Sequence, residues 1–173
     1  MLPVMALALT LAGCFQPLYG DRSVTSGTGT AGALAGVDVK QIVAPNGSPL
    51  ARLAVEVRND LLFNLTGGGE AAAPTHQLDI RLSASSQSVI VDINTARPGV
   101  QQYGLDASYT LREIGTNRAV VTGQTFARVS YDTPGQQQRF VGARALRDAE
   151  NRAAQVIADQ IRNRLASFFV SGA

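Results

Sequence analysis

The sequence predicts an α+β protein: a two-layer sandwich in the order β-α-β-β-β-α, with a mostly antiparallel four-stranded sheet carrying two helices on one face. Three observations carry this expectation. Apolar residues recur at helical spacing in two segments, one near residues 50–65 and one near 146–168. Between those segments the apolar positions alternate with polar ones at a period of two. Turn-forming residues separate the alternating runs closely enough for hairpins.

The folded body is expected to begin near Val37, where VDVKQIV makes a first short strand. Ser48-Pro49 then combines an N-cap with a proline in the first turn. Leu50, Leu53, Ala54, Val57, Leu61 and Leu65 follow as one helical stripe, which Gly67-Gly68-Gly69 terminates. In QLDIRLSAS, Leu78, Ile80, Leu82 and Ala84 alternate with polar neighbours, and this strand runs on through Val89-Ile90-Val91. Arg97-Pro98-Gly99 reads as the next turn. Tyr103, Leu105, Ala107, Tyr109 and Leu111 then share one face of a strand whose other face carries Gln102, Asp106, Ser108, Thr110 and Arg112. Gly115-Thr116-Asn117 marks a hairpin loop, and Ala119 to Tyr131 form a weaker fourth strand. From about Gln137 to Phe169, Leu146, Ala149, Ala153, Ile157, Ile161, Leu165 and Phe168 make a second stripe. A helix of that length reaches about 45 Å, enough to span the sheet and overhang it. One sheet face is therefore covered, and the other is polar and open to water.

Composition excludes several function classes. The chain has 173 residues, enough for one domain with its own core, and its 45% apolar and 16% charged residues are ordinary globular usage. A net charge of +2 is too small for a dedicated nucleic-acid binder. With one cysteine, Cys14, and one histidine, His76, there is no internal disulfide, no Cys/His metal cluster and no Cys–His or Ser–His nucleophile system of the usual kind. The glycine run at 67–69 lacks the Lys-Ser/Thr that follows a phosphate-binding loop. Asp148 and Glu150 stand two apart on a helix and do not face each other, so an acid/base pair has no support. No metal or cofactor is expected, and the protein does not read as an enzyme.

The N-terminus reads as an address. From Leu2 to Leu11 the chain is uncharged and mostly apolar, too short for a bilayer-spanning helix and suited to a signal-peptide core, although no basic residue precedes it. The small residues Ala12 and Gly13 leave the backbone before Cys14 accessible, and Leu11-Ala12-Gly13-Cys14 resembles the bacterial lipobox. By that resemblance the Cys14 sulfur receives a diacylglycerol, the chain is cut before it, and the new amino group is acylated. More than one chain, at about 0.8 kcal/mol per buried methylene, gives stable anchoring. Phe15 stands where an aspartate would favour inner-membrane retention, so the resemblance implies the periplasmic leaflet of the outer membrane. Residues 23–36 are dominated by Ser, Thr, Gly and Ala and read as a flexible tether with an r.m.s. reach of about 20 Å. The expected organisation is a lipoprotein signal peptide over 1–13, a lipidated N-terminus and tether over 14–36, and one domain over 37–173.

Arginine supplies nearly all the positive charge, with Lys40 the single lysine. Arg81 and Arg112 fall on the polar face of neighbouring strands, and Arg128 lies on a strand whose register the pattern does not fix. Guanidinium groups gathered there suit an anionic ligand such as a phosphorylated sugar lipid. The other reading has them as solvated charges paired with Asp79 and Asp106. His76 reads as a surface side chain on a strand edge.

Taken together, LAGCFQPLYG at the start, the order of elements, Ser130-Tyr131 closing the last strand and the final helix ALRDAENRAAQVIADQIRNRLA resemble the LPS-assembly lipoprotein family LptE. The likeness covers nearly the whole chain. Its most specific piece is Cys-Phe-Gln-Pro-Leu-Tyr-Gly, which lacks the extra glycine that many members carry after the cysteine. The resemblance implies a non-enzymatic protein anchored by lipid at the outer membrane, sitting partly inside the LptD barrel, helping that barrel assemble and assisting delivery of lipopolysaccharide. A free-standing periplasmic lipoprotein that binds a small anionic ligand is the alternative.

Overall fold

The computed structural model describes residues 29–92, 97–133 and 139–171. Within them the elements run α1 (Thr30–Ala35), β1 (Val37–Val39), α2 (Pro49–Thr66), β2 (His76–Asp92), β3 (Arg97–Glu113), β4 (Ala119–Asp132) and α3 (Arg139–Ser171). The sheet order is β1-β2-β3-β4, with β1 parallel to β2 and the other neighbours antiparallel. The α2 crossover between β1 and β2 makes that parallel pair possible. The architecture is the expected two-layer sandwich, an open mixed sheet with helices packed on one face.

Local chemistry sets the ends of α2. The Ser48 hydroxyl accepts the Ala51 N–H at 3.2 Å, Pro49 occupies the first turn, and Gly67 stops the helix with φ +63°. Leu53, Ala54, Val57, Leu61 and Leu65 are buried as the stripe predicts. On α3, Ala149, Ala153, Ala154, Ile157, Ala158, Ile161, Leu165 and Ala166 face the core. Alanines at this contact let α3 lie close to β3 and β4, whose Tyr103, Leu105, Ala107, Tyr109, Leu111, Val121, Ala127, Val129 and Tyr131 fill the space beneath it. The 33-residue helix is about 50 Å long. Its start overhangs the sheet, leaving Phe140 and Val141 exposed.

Two expectations need correction. Residues 30–36 do not belong to a tether: Thr30–Ala35 form a helix whose Thr30 and Leu34 are buried against α2 and α3. A single leucine among small residues carries no readable period, yet it suffices to dock one and a half turns. Arg97-Pro98-Gly99 is not a turn either. Arg97 pairs with Asp92 and Pro98 with Val91, beside a register shift at Ile90/Val91 where the missing proline N–H is tolerated.

Candidate functional site

The open face of the sheet is built from alternate residues of three long strands. The register places Arg81 opposite Ser108 and Ser108 opposite Gln124, with Asp79, Thr110 and Thr122 in the next row and Gln77 beside Arg112 in the row beyond. Arg81 and Arg112 are thus four residues apart along the strands, about 13 Å. Both side chains nevertheless line one shallow depression of about 510 Å³, together with Asp79, Ser108, Thr110, Thr122 and Gln124. Guanidinium, hydroxyl and amide groups are what an oxyanion needs for charge-assisted hydrogen bonds.

The charges there are only partly matched. Asp79 sits 3.9 Å from Lys40 rather than pairing with an arginine. The Arg112 guanidinium donates to the Asn117 carbonyl at 3.3 Å. Arg81 has no ion pair among the described residues, so the depression carries a positive excess. Arg128 shares this face, resolving the register that the sequence left open, but it lies outside the depression and donates to Asp106 at 2.8 Å. Its guanidinium also stacks 5.3 Å above the exposed Phe126 ring. Gly104, its register partner, clears the way: a Cβ there would stand 2.6 Å from Ser85 Oγ and 3.2 Å from Arg128 Nε. The sheet therefore brings two of the three arginines to one site and ties the third into an ion pair.

A second concavity, about 840 Å³ and more apolar, lies at the opposite end of the molecule from the overhang of α3. Ala33, Ala72, His76, Val120, Phe168 and Phe169 line it. His76 is half-buried there, its ring 5.2 Å edge-on from Phe169 and its Nδ1 2.9 Å from Thr75 Oγ1. Burial pushes its pKa below the ordinary value, against the opposing pull of Glu113, so the ring is neutral at physiological pH. Sequence reasoning missed this groove, because its walls come from four separated segments.

Elsewhere the chemistry is sparse. Cys14 lies outside the described residues. Among the described residues no group of three His, Cys, Asp or Glu side chains could hold a metal ion. No described helix is long and apolar enough to cross a membrane.

Three solved structures share this fold at low identity. A lipoprotein from Caulobacter crescentus CB15 superposes with a TM-score of 0.63 at 17% identity, over 83% of this chain and 97% of that one. An uncharacterized lipoprotein B from Nitrosomonas europaea gives 0.56 at 12%, over 78% and 86%. The rare lipoprotein B from Shewanella oneidensis gives 0.54 at 16%, over 78% and 96%. No curated protein sequence matches. The family described as lipopolysaccharide-assembly, LptE, matches residues 35–165, from the end of α1 to the last turns of α3. With that match spanning every strand and both long helices, the chain belongs to the LptE family of lipopolysaccharide-assembly proteins.

Proposed function

We propose that this protein is a lipid-anchored outer-membrane lipoprotein that assists assembly of an LptD-type barrel, plugs it, and takes part in moving lipopolysaccharide to the outer leaflet. Membership of the family supports the transport role. Cys14 is the anchoring residue in this reading, and the protein performs no catalytic step and needs no cofactor. The observation that carries the site assignment is the convergence of Arg81 and Arg112 on one hydrated depression whose positive charge is not fully matched. Lipopolysaccharide presents phosphates, and a barrel lumen is polar, so the same face suits both partners. Arg128 contributes at the margin, through a guanidinium shared with Asp106.

The test is binding of purified lipopolysaccharide to the full-length protein and to a variant with Arg81→Ala and Arg112→Ala. Two exposed charge contacts removed together should weaken binding roughly tenfold. Wild-type affinity should fall with added salt, since the Debye length is about 8–10 Å at 0.1–0.15 M. Depleting the protein should lower the amount of correctly folded barrel. Changing Cys14→Ser should release the protein from the membrane without altering its thermal unfolding. Normal barrel folding after depletion, with salt-insensitive binding unaffected by the two substitutions, would favour a free-standing periplasmic lipoprotein instead.

A further inference from the structure

Among the described residues, the outer edge of β2 has no strand beside it for most of its length. β1 pairs with it only from His76 to Leu78, and the last backbone bond on that side runs from the Lys40 N–H to the Leu78 carbonyl at 3.0 Å. That bond fixes which residues face the edge: even-numbered positions send their N–H and C=O outward, while odd-numbered ones bond to β3. Ile80, Leu82, Ala84, Ser86 and Ser88 therefore present donors and acceptors along about 30 Å that no strand of the described residues takes up.

Natural sheets blunt such edges with charge, proline, brevity or cover. Over Leu82 to Ser88, where the sequence is Leu-Ser-Ala-Ser-Ser-Gln-Ser, this edge carries no charge and no proline, and no described element covers it. Ser83 to Val89 are exposed on both faces, whereas Leu78 and Ile80, nearer β1, are buried. The other edge is treated differently. α3 runs along β4, Arg152 donates to the outward Ser130 carbonyl at 3.5 Å, and Thr125 bonds to Gln160. Small, neutral side chains on an uncovered edge leave another backbone free to approach.

We propose that the β2 edge from Ile80 to Ser88 is a strand-addition site, taking an extended segment of another protein that brings an acidic side chain to Arg81. Charge selects this occupant. Arg81 projects on the open face beside the edge and has no ion pair among the described residues. A second copy pairing antiparallel through the same edge would set Arg81 near Gln87, since Ile80 to Ser88 contain no carboxylate. A closed barrel wall offers no unpaired backbone either, so the incoming strand comes from a non-barrel segment. Main-chain bonds would hold it, and Arg81 would set its register.

The probe is a set of acetylated nine-residue peptides alternating Val and Ser, with one Glu stepped through the Ser positions, added to the full-length protein in detergent. At least one Glu peptide should bind ten times or more tighter than its Lys counterpart. It should slow exchange of the Leu82, Ala84 and Ser86 amides about 100-fold. N-methylating the alternate peptide amides that face β2 should abolish binding, whereas methylating the other set should not. Ala84→Pro removes an N–H that no internal bond uses, so it should block the peptide while leaving thermal unfolding within a few degrees. Should that variant fail to fold, Ser86→Pro and the N-methylated peptides make the same test. Binding that ignores the Glu/Lys exchange or the methylation pattern would overturn the proposal. So would no binding at millimolar peptide with unchanged amide exchange, and so would a concentration-dependent dimer lost on Ala84→Pro.

Discussion

Arg52 Nη2 stands 2.6 Å from Glu150 Oε2, and this contact fastens α2 to α3 across the top of the covered sheet face. Glu150 is 7% exposed, while Arg52 also donates to Asn151 Oδ1 at 2.8 Å. A buried carboxylate stripped of its partner keeps its desolvation cost. Replacing Arg52→Ala should therefore cost about 2–3 kcal/mol, the loss being reduced below that of a fully buried pair because Arg52 remains partly in water. Glu150→Gln with Arg52 intact should cost less. Urea unfolding of the two variants separates these outcomes.

The same pair tunes a tyrosine beneath it. The Tyr103 phenol is raised to about 12, chiefly by burial, with Glu150 adding to the rise and Arg52 opposing it. The folded state thus holds the phenolic proton more tightly than the unfolded chain, whose tyrosines titrate near 10. Stability from this group is fully present below pH 10 and is lost as pH rises from 10 toward 12. Ultraviolet titration should show a late-ionising tyrosine, shifted down by Glu150→Gln and up by Arg52→Ala.

His76 works in the opposite sense. Its folded pKa lies below the ordinary 6.5, chiefly from burial, so the unfolded chain takes up a proton first on acidification. Stability should rise with pH through the region below 6.5 and level off above it. The ring protons should titrate with a midpoint under 6.5 in nuclear magnetic resonance, and His76→Phe should flatten the slope.

Two strand glycines should respond differently to a methyl group. At Gly123 a Cβ would fall 2.5 Å from the Tyr109 hydroxyl and 2.6 Å from Cζ, against a buried ring. Gly123→Ala should cost about 1–3 kcal/mol by overpacking. At Gly104 the obstacles are the ends of Ser85 and Arg128, which can swing aside. Gly104→Ala should cost less than about 1 kcal/mol and loosen the Arg128–Asp106 pair. Thermal unfolding of both variants checks the ranking.

The open face was legible where alternation was unbroken. From Tyr103 to Arg112 each step of the pattern alternates core and solvent, which placed Arg112 correctly, and the same logic placed Arg81. Arg128 escaped because Gly123 and Thr125 take core-facing positions that a sequence pattern reads as polar, blurring the period of β4. Nor could spacing foresee that Arg128 would choose Asp106 and leave Arg81 without an ion pair among the described residues, since that depends on the bare surface of Gly104 beside Arg128. Ala84 shows the limit in the other direction. Its position continues the apolar alternation of Leu78 and Ile80, yet it is exposed, because the covering helices do not extend so far along β2.

The parallel pair of β1 and β2 has a kinetic consequence. β2, β3 and β4 join through short connections, so each hairpin starts from a small loop. Val37 reaches His76 only after the whole of α2 has been spanned, making this the contact of greatest sequence separation within the sheet. Contacts of that kind form late, because the chain entropy of closure is spent before they return anything. The hairpins of the meander should thus form ahead of the β1–β2 pairing. Burst-labelling of backbone amides during refolding would show protection at Val39 and Lys40 trailing that at Leu105 and Leu111.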